Sequence, residues 1–331
     1  MSRLRTAILG CGGFAHRHAQ NAILLKDQLE LVAFCDRNED RARGYAEKYS
    51  PHAAIFTNAR DLFERARLDL VLVCLPPYAH ADEVDLAAEH GVHVLIEKPI
   101  ALTSAHAWHM VEVSEKAGIK TQVGFMFRFG AAIQRLKALQ VAGTAGQVGL
   151  MSARYFCNSL HSDWWRVKDK SGGQMVEQVI HMVDLMRYLM GDPVSVYSLQ
   201  NNLFHRDVPG YTVEDVSGTV MGFRNGGIGV LYATNNAIPQ KWTNDYRVVT
   251  QAITADFSDA SHARFTWTAT PDLQVETIAD EQDLYLLEML DLLLAIETNG
   301  QTLTPMREGA RTLDLALAAA KSAETRQVVA L

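Results

Sequence analysis

Short apolar runs alternate with amphipathic stretches through the first third of the chain. LRTAILG reads as a strand, AHRHAQNAILLK as a helix, LELVAFCD as a strand and NEDRARGYAEKY as a helix. DLVLVCLP follows, a strand with almost no polar alternation, as burial on both faces of a parallel sheet requires. The helix HADEVDLAAEH, the strand VHVLIEKP, a helix from Ser104 to Lys116 and the strand KTQVGF continue the pattern. Strands alternating with helices of about 10–15 residues predict βαβ units and a doubly wound parallel sheet. Right-handed crossovers then restrict its topology.

After about Phe125 the pattern changes. A helix near Ala131 to Gln140 is followed by the strand VGLMSARYF and a Trp-rich loop. In SGGQMVEQVIHMVDLMRYLMG, Val176, Val179, Ile180, Val183, Leu185 and Met186 recur at helical spacing, and Gly191 is the stop. From Val194 to Ile278 strands follow one another: VSVYSLQNN, DVSGTVMGF, GIGVLYATNN, YRVVTQAITADF, HARFTWTA and LQVETIA. Consecutive strands with Gly and Asn turns predict a large, open, mainly antiparallel sheet. Two helices, Asp283 to Thr298 and Arg307 to Thr325, close an α/β chain without repeats.

Composition narrows the class. A chain of 331 residues accommodates two domains, and 48% hydrophobic with 21% charged residues is ordinary for a globular protein. A net charge of −7 argues against a general nucleic-acid binder, which needs a basic excess. No apolar run reaches the roughly 18 residues of a membrane helix. The start, MSRLRTAILGCGG, enters a strand directly and lacks the form of a signal peptide. Cys11, Cys35, Cys74 and Cys157 have no CxxC spacing, so buried free thiols in a reducing, cytoplasmic setting are expected.

Candidate chemistry begins at the first turn. GCGGFA, Gly10 to Ala15, is a G-x-G-x-x-A string between a strand and a helix, with Gly13 and Phe14 inside it. Gly10 allows the tight turn, Gly12 lets backbone approach a pyrophosphate, and Ala15 permits close helix–strand packing. The helix N-terminus offers free N–H groups to phosphates. Asp36 ends the second strand, where an acid meets the adenine-ribose hydroxyls. A carboxylate there favours NAD, while the adjacent Arg37 leaves NADP possible. Glu97-Lys98-Pro99 ends another strand, which places Lys98 to reach a substrate oxygen or a nicotinamide ribose, or leaves it a surface lysine.

Glu177, His181 and Asp184 stand at i, i+4 and i+7, on one face of the predicted helix. A His beside carboxylates can take a proton near neutral pH. The alternative is a satisfied His with solvated acids. His161 and Asp163 could join His181 at a metal, but their spacing is not diagnostic and no metal is expected. In HSDWWRVKDKSGG, Trp164 and Trp165 could stack on a sugar face, and Arg166, Lys168 or Lys170 could hold an acidic substituent. Core tryptophans and surface cations are the other reading.

The combination GCGGFA, Asp36, LPPYAH, EKP, GG and HMVD resembles the glucose–fructose oxidoreductase / inositol dehydrogenase (Gfo/Idh/MocA) family over nearly the whole chain, including TPMREGARTLDLALAAAKSA. The resemblance implies a Rossmann dinucleotide-binding domain over 1–125 and an α/β substrate-binding and oligomerisation domain over 126–331. The final helix is free to pack back on the first. It implies an NAD(P)-dependent dehydrogenase of a sugar, polyol or sugar derivative. Lys98 matches the lysine that positions the hydroxyl and contacts cofactor. His181 matches the general base, and Asp184 the acid of H-x-x-D that meets substrate. Leu75, Pro76, His80, Glu97 and Arg128 match cofactor-side positions. Trp165, Arg166 and Glu177 join the expected substrate site.

Departures from the pattern are Glu177 where the family commonly has Asp, Val179 where it often has Gly, and Pro77 where it often has Asn. The expected partners are a small molecule and further copies of the chain, a homodimer or homotetramer through the C-terminal sheet, with neither nucleic acid nor membrane. An NAD-dependent glycosidase of the same family and a non-catalytic cofactor sensor are the alternatives.

Overall fold

A computed structural model describes residues 3–269 and 271–331. The chain forms two compact units, Met1–Gly124 with Asp283–Ala310 and Phe125–Gln282 with Arg311–Leu331.

The first unit holds β1 (Leu4–Leu9), α1 (Ala15–Leu24), β2 (Leu29–Cys35), α2 (Glu39–Tyr49), β3 (Ala54–Phe56), α3 (Ala59–Arg65), β4 (Leu70–Val73), α4 (Glu83–His90), β5 (His93–Ile96), α5 (Ser104–Ala117) and β6 (Thr121–Val123). The strands form one sheet in the order β3-β2-β1-β4-β5-β6, every pair parallel. All four residues of β4 are buried, which explains its unbroken apolar sequence. The order reverses between β1 and β4, so the crevice at their carboxyl ends is the topological switch point where such sheets hold ligands.

The pair β3 and α3 is absent from the hydrophobic pattern, because a three-residue strand is too short to show a period. Asn58 starts α3 by accepting from the Asp61 N–H at 2.9 Å, a local signal in the sequence NARD. The C-terminal stretch returns to this unit. Val123 donates its N–H to Thr304 O at 2.8 Å, and the hydroxyls of Thr302 and Thr304 donate to Thr121 O and Val123 O. These bonds cover the free edge of β6.

The second unit holds α6 (Ala131–Val141), β7 (Val148–Phe156), α7 (Lys168–Ser171), α8 (Gln174–Glu177), α9 (Ile180–Met190), β8 (Pro193–Asn201), β9 (Val216–Phe223), β10 (Ile228–Thr234), β11 (Tyr246–Thr250), β12 (Ile253–Phe257), β13 (Ala263–Trp267) and β14 (Gln274–Ile278). The chain ends with α10 (Leu284–Thr298), α11 (Met306–Thr325) and β15 (Val329–Ala330). The nine-stranded sheet runs β14-β13-β12-β11-β7-β10-β9-β8-β15. Among the described residues, only its β7–β10 pair is parallel.

Two sequence expectations change here. YRVVTQAITADF is a hairpin, β11 and β12, not a single strand. Thr250 makes the turn, its hydroxyl accepting from the N–H groups of Ala252 and Ile253. The helix drawn from Val176 to Gly191 is two helices. The Val179 N–H reaches back five residues to Gln174 O, which ends α8 and restarts the chain as α9. No helix among the described residues is long and apolar enough to cross a membrane.

Candidate active site

At the carboxyl end of β1, Gly10 adopts φ +93°, and a Cβ there would lie 2.6 Å from Cys74 O. Only glycine fits this turn. A Cβ at Gly12 or Gly13 would meet nothing within 4 Å, so open space lies over the turn. Phe14 is exposed, Ala15 is buried, and α1 starts without a side-chain cap or an acid in its first turn. Its leading N–H groups are therefore available to an anion. Asp36 accepts from the Cys11 N–H at 2.9 Å through Oδ2 and from the Asn38 N–H at 2.8 Å through Oδ1. The acid is thus fixed beside the glycine turn, while Arg37 is exposed. Open space, an uncapped helix start and a fixed acid together fit a dinucleotide. Burial pushes the neighbouring Cys11 thiol up to about 12, so it stays protonated and inert.

The carboxyl ends of β4 and β5 complete this edge. Leu75 and Pro76 follow β4, and Pro76 leads into a single 3-10 turn, Pro77–Ala79. The His80 side chain is buried with its Nδ1 2.5 Å from Glu83 Oε1. Burial works to raise the Glu83 carboxyl, but the hydrogen bond and charge of His80, with hydrogen bonds from the Ala81 and Glu83 backbone, outweigh it, so the group lies below its ordinary value. His80 therefore ties the loop to α4. After β5, buried Glu97 lies against His18, with His18 Nε2 2.7 Å from Glu97 Oε1. Lys98 follows, half-buried, and the Lys98–Pro99 bond is cis.

In the second unit His181 is the second residue of α9, 5% exposed, with the rings of Phe127 and Phe125 at 5.0 and 6.3 Å. Asp184, one turn on, is 1% exposed. Both its oxygens bind Arg128, at 2.7 and 2.6 Å, and Thr312 Oγ1 donates to Oδ1 at 3.2 Å. The reading of solvated acids on an open helix face does not hold. Asp184, expected beside substrate, and Arg128, expected beside cofactor, are thus bound to each other, with Arg128 3% exposed and 4.7 Å from the Tyr188 ring centroid.

Glu177 sits on α8, off the helix of His181, and accepts from Trp165 Nε1 at 2.6 Å. Trp165 is 2% exposed and packs with Tyr211 and Val213. Its faces are core, not a platform for a sugar. Arg166 donates from Nε to Leu160 O and from Nη2 to His161 O, and Nη1 pairs with Asp163 at 3.1 Å. It braces its own loop, where an acidic substrate group had been expected. Lys168 pairs with Glu324 at 3.5 Å.

Two features escape the sequence reading. One is His18, whose signal is an imidazole in the alanine stripe Ala15, Ala19 and Ala22 of α1. The other is a buried amide network. Gln178 Nε2 is 2.8 Å from His161 Nε2, Gln174 Nε2 donates to Asn235 Oδ1 at 2.6 Å, and Asn235 Nδ2 donates to Tyr211 OH at 3.0 Å. Its partners are 17 to 61 residues apart, beyond any local period. No three side chains among the described residues form a metal cluster.

A doubly wound sheet with a glycine turn at its switch point, and a fixed acid and a lysine at the carboxyl ends of further strands, defines a dinucleotide-dependent enzyme. Sequence comparison specifies which kind. Residues 4–125 match the oxidoreductase family with an NAD-binding Rossmann fold, and residues 133–272 match the GFO/IDH/MocA C-terminal domain. The chain belongs to the Gfo/Idh/MocA family and is an NAD(P)-dependent oxidoreductase.

D-glucoside 3-dehydrogenase of Escherichia coli (strain K12) is 30% identical over 243 residues, 69% of each chain. Myo-inositol 2-dehydrogenase of Thermotoga maritima is 30% identical over 237 residues, 71% of this chain and 70% of that one. The solved levoglucosan dehydrogenase, in complex with NADH and levoglucosan, aligns over 99% of both chains with a TM-score of 0.91. At 18% identity that likeness is one of fold.

Proposed function

We propose that the protein oxidises a secondary hydroxyl of a sugar or polyol, or reduces the matching ketone, with Lys98 orienting the oxygen and His181 moving its proton. The observation that carries this is the intact edge of the first sheet, where Glu97-Lys98-Pro99 follows β5 in the unit that holds the glycine turn. The relatives named as glucoside and inositol dehydrogenases support the substrate class.

Gly10, Gly12, Gly13, Phe14 and Ala15 would hold the pyrophosphate, with Leu75 and Pro76 along the nicotinamide side. Asp36 would take the ribose hydroxyls, so NAD is preferred over NADP. The nicotinamide, when bound, supplies the hydride acceptor. Lys98 donates a hydrogen bond to the substrate oxygen and stabilises negative charge as it develops. His181 Nε2 or Nδ1 takes the hydroxyl proton. Phe125 and Phe127 shield the imidazole from bulk water. Asp184 and Arg128 anchor α9 from within, so the base keeps its direction. Glu177 positions Trp165 rather than a substrate group.

Copies of the chain would associate through the outer face of the nine-stranded sheet, where Leu150, Val220, Ile228 and Tyr232 are exposed side chains.

The test is NADH or NADPH formation across glucosides, inositols, aldoses and uronates. Sustained reduction of NAD by one class supports the reading. Cleavage of a nitrophenyl glycoside without net NADH would replace it with the glycosidase, and cofactor binding without turnover on any substrate would favour the sensor.

A further inference from the structure

We infer that His18 is a positioning residue for the lysine turn: through Glu97 it links the helix that begins at the dinucleotide turn to the backbone presenting Lys98. The inference rests on the dehydrogenase reading above.

His18 lies one turn into α1, fully buried, on the face formed by Ala15, Ala19 and Ala22. Packing alone gives no reason for an imidazole there. A leucine or methionine would fill the space without burying polar atoms. Among the described residues, the imidazole has one close polar neighbour, Glu97 Oε1, 2.7 Å from Nε2. Its Nδ1 has no hydrogen-bond partner among the described residues. A carboxylate accepts only, so the ring proton belongs on Nε2, where it is donated to Glu97. The Phe14 and Tyr285 rings stand edge-on to the imidazole, at 5.6 and 6.2 Å, and fix its plane.

Glu97 is also seated against the backbone at Gly124. A Cβ on Gly124 would come within 2.8 Å of Glu97 Oε2, so the bare backbone after β6 makes room for this carboxylate. Lys98 is therefore bracketed. Before it stands a glutamate held by His18 and seated against Gly124; after it stands Pro99, whose ring restricts φ. The lysine side chain is long and flexible, and its reach is set by the direction in which the main chain launches it. Phe14 belongs to the glycine turn itself and touches both His18 and Tyr285. The seat of the cofactor and the aim of the lysine thus share one packed group. Burial also pushes the Tyr285 phenol up, with Glu97 and Glu288 adding to the effect, so the third member of the group stays neutral and keeps its place.

Three variants test the link: His18→Leu removes the donor, His18→Gln restores an N–H at similar reach, and Glu97→Gln removes the acceptor charge. Each is compared with the wild type in melting temperature, NADH affinity by nicotinamide fluorescence, and kcat and KM across pH. The substrate is whichever hydroxyl compound the wild type oxidises. His18→Leu should lose kcat on the order of tenfold to a hundredfold, with KM and NADH affinity moving less than about threefold, because orientation and not binding is lost. Its pH profile should shift, His18→Gln should recover most of the loss, and His18→Leu should add little to Glu97→Gln.

In the wild-type protein without cofactor, imidazole nitrogen NMR shifts should show the neutral His18 ring carrying its proton on Nε2. A neutral ring with its proton on Nδ1 would overturn the inference. So would wild-type kcat in His18→Leu, equal losses in the leucine and glutamine variants with an unchanged pH profile, or a loss that follows melting temperature alone. A wild type that forms no NADH on any substrate overturns the dehydrogenase reading instead, and the NMR signal then decides the His18–Glu97 link by itself.

Discussion

Arg128 grips Asp184 with both arms of its guanidinium, Nε to Oδ2 at 2.7 Å and Nη2 to Oδ1 at 2.6 Å, and both side chains are buried. The two residues are 56 positions apart, on the 3-10 turn Met126–Phe129 and on α9. A buried pair of this kind is costly to break, because the remaining charge has no water to turn to. Asp184→Ala and Arg128→Leu should each lower stability by about 3–5 kcal/mol. Their combination should cost less than the sum of the two. Denaturant melts of the two single variants and the double variant measure this, and additive losses would contradict the pairing.

The glycine turn separates folding from binding. Gly10→Ala should destabilise by about 1–3 kcal/mol, since the position is both left-handed and crowded by Cys74 O. Gly12→Ala meets no protein atom, so its melting temperature should barely move. Its NAD affinity should fall roughly tenfold or more if backbone approaches the pyrophosphate there. Calorimetric titration with NAD, beside thermal melts, distinguishes the two.

Trp165 is a core residue with a hydrogen bond to a carboxylate. Trp165→Phe should cost about 1–3 kcal/mol through the lost bond to Glu177. KM for the substrate should stay within about twofold, because uniform binding is not removed. A large rise in KM with stability intact would restore the sugar-stacking role that the sequence suggests.

Glu214 sets a pH dependence. Burial raises its carboxyl above the ordinary 4.5, against the Met175 N–H that it accepts at 2.8 Å. Between 4.5 and the folded value, the folded state holds a proton that the unfolded chain has released. This group's contribution to stability therefore falls as pH rises through that window, and is constant above it. Glu214→Gln has no such proton, so its stability relative to the wild type should improve across the same window. Melts from acid to neutral pH check the sign.

Much of the fold is legible in the chain because parallel strands and amphipathic helices write strong periods. The doubly wound sheet follows from runs such as DLVLVCLP, and the open antiparallel sheet from strands joined by Gly and Asn turns. The failures have distinct causes. Val179 belongs to an apolar period that runs straight through the break between α8 and α9, so hydrophobicity cannot reveal that Glu177 faces elsewhere. Thr250 turns the β11–β12 hairpin with its hydroxyl, in place of the Gly or Asn that marks turns elsewhere. Arg128 and Asp184, or Trp165 and Glu177, look like ligand-binding residues in one dimension because their charge and ring chemistry suit a ligand as well as each other. Their pairing depends on long-range placement. His18 carries a local signal, a polar residue inside an alanine stripe, and its partner Glu97 is again distant.

The most direct measurement is NADH absorbance during turnover by the wild type and Lys98→Ala on the sugar or polyol that the substrate panel selects. The account predicts NADH formation by the wild type. It predicts loss of at least about a hundredfold in kcat for Lys98→Ala, with NAD binding largely retained, since the proposed role of the lysine is to stabilise charge that develops in the transition state. Full turnover by Lys98→Ala would contradict it.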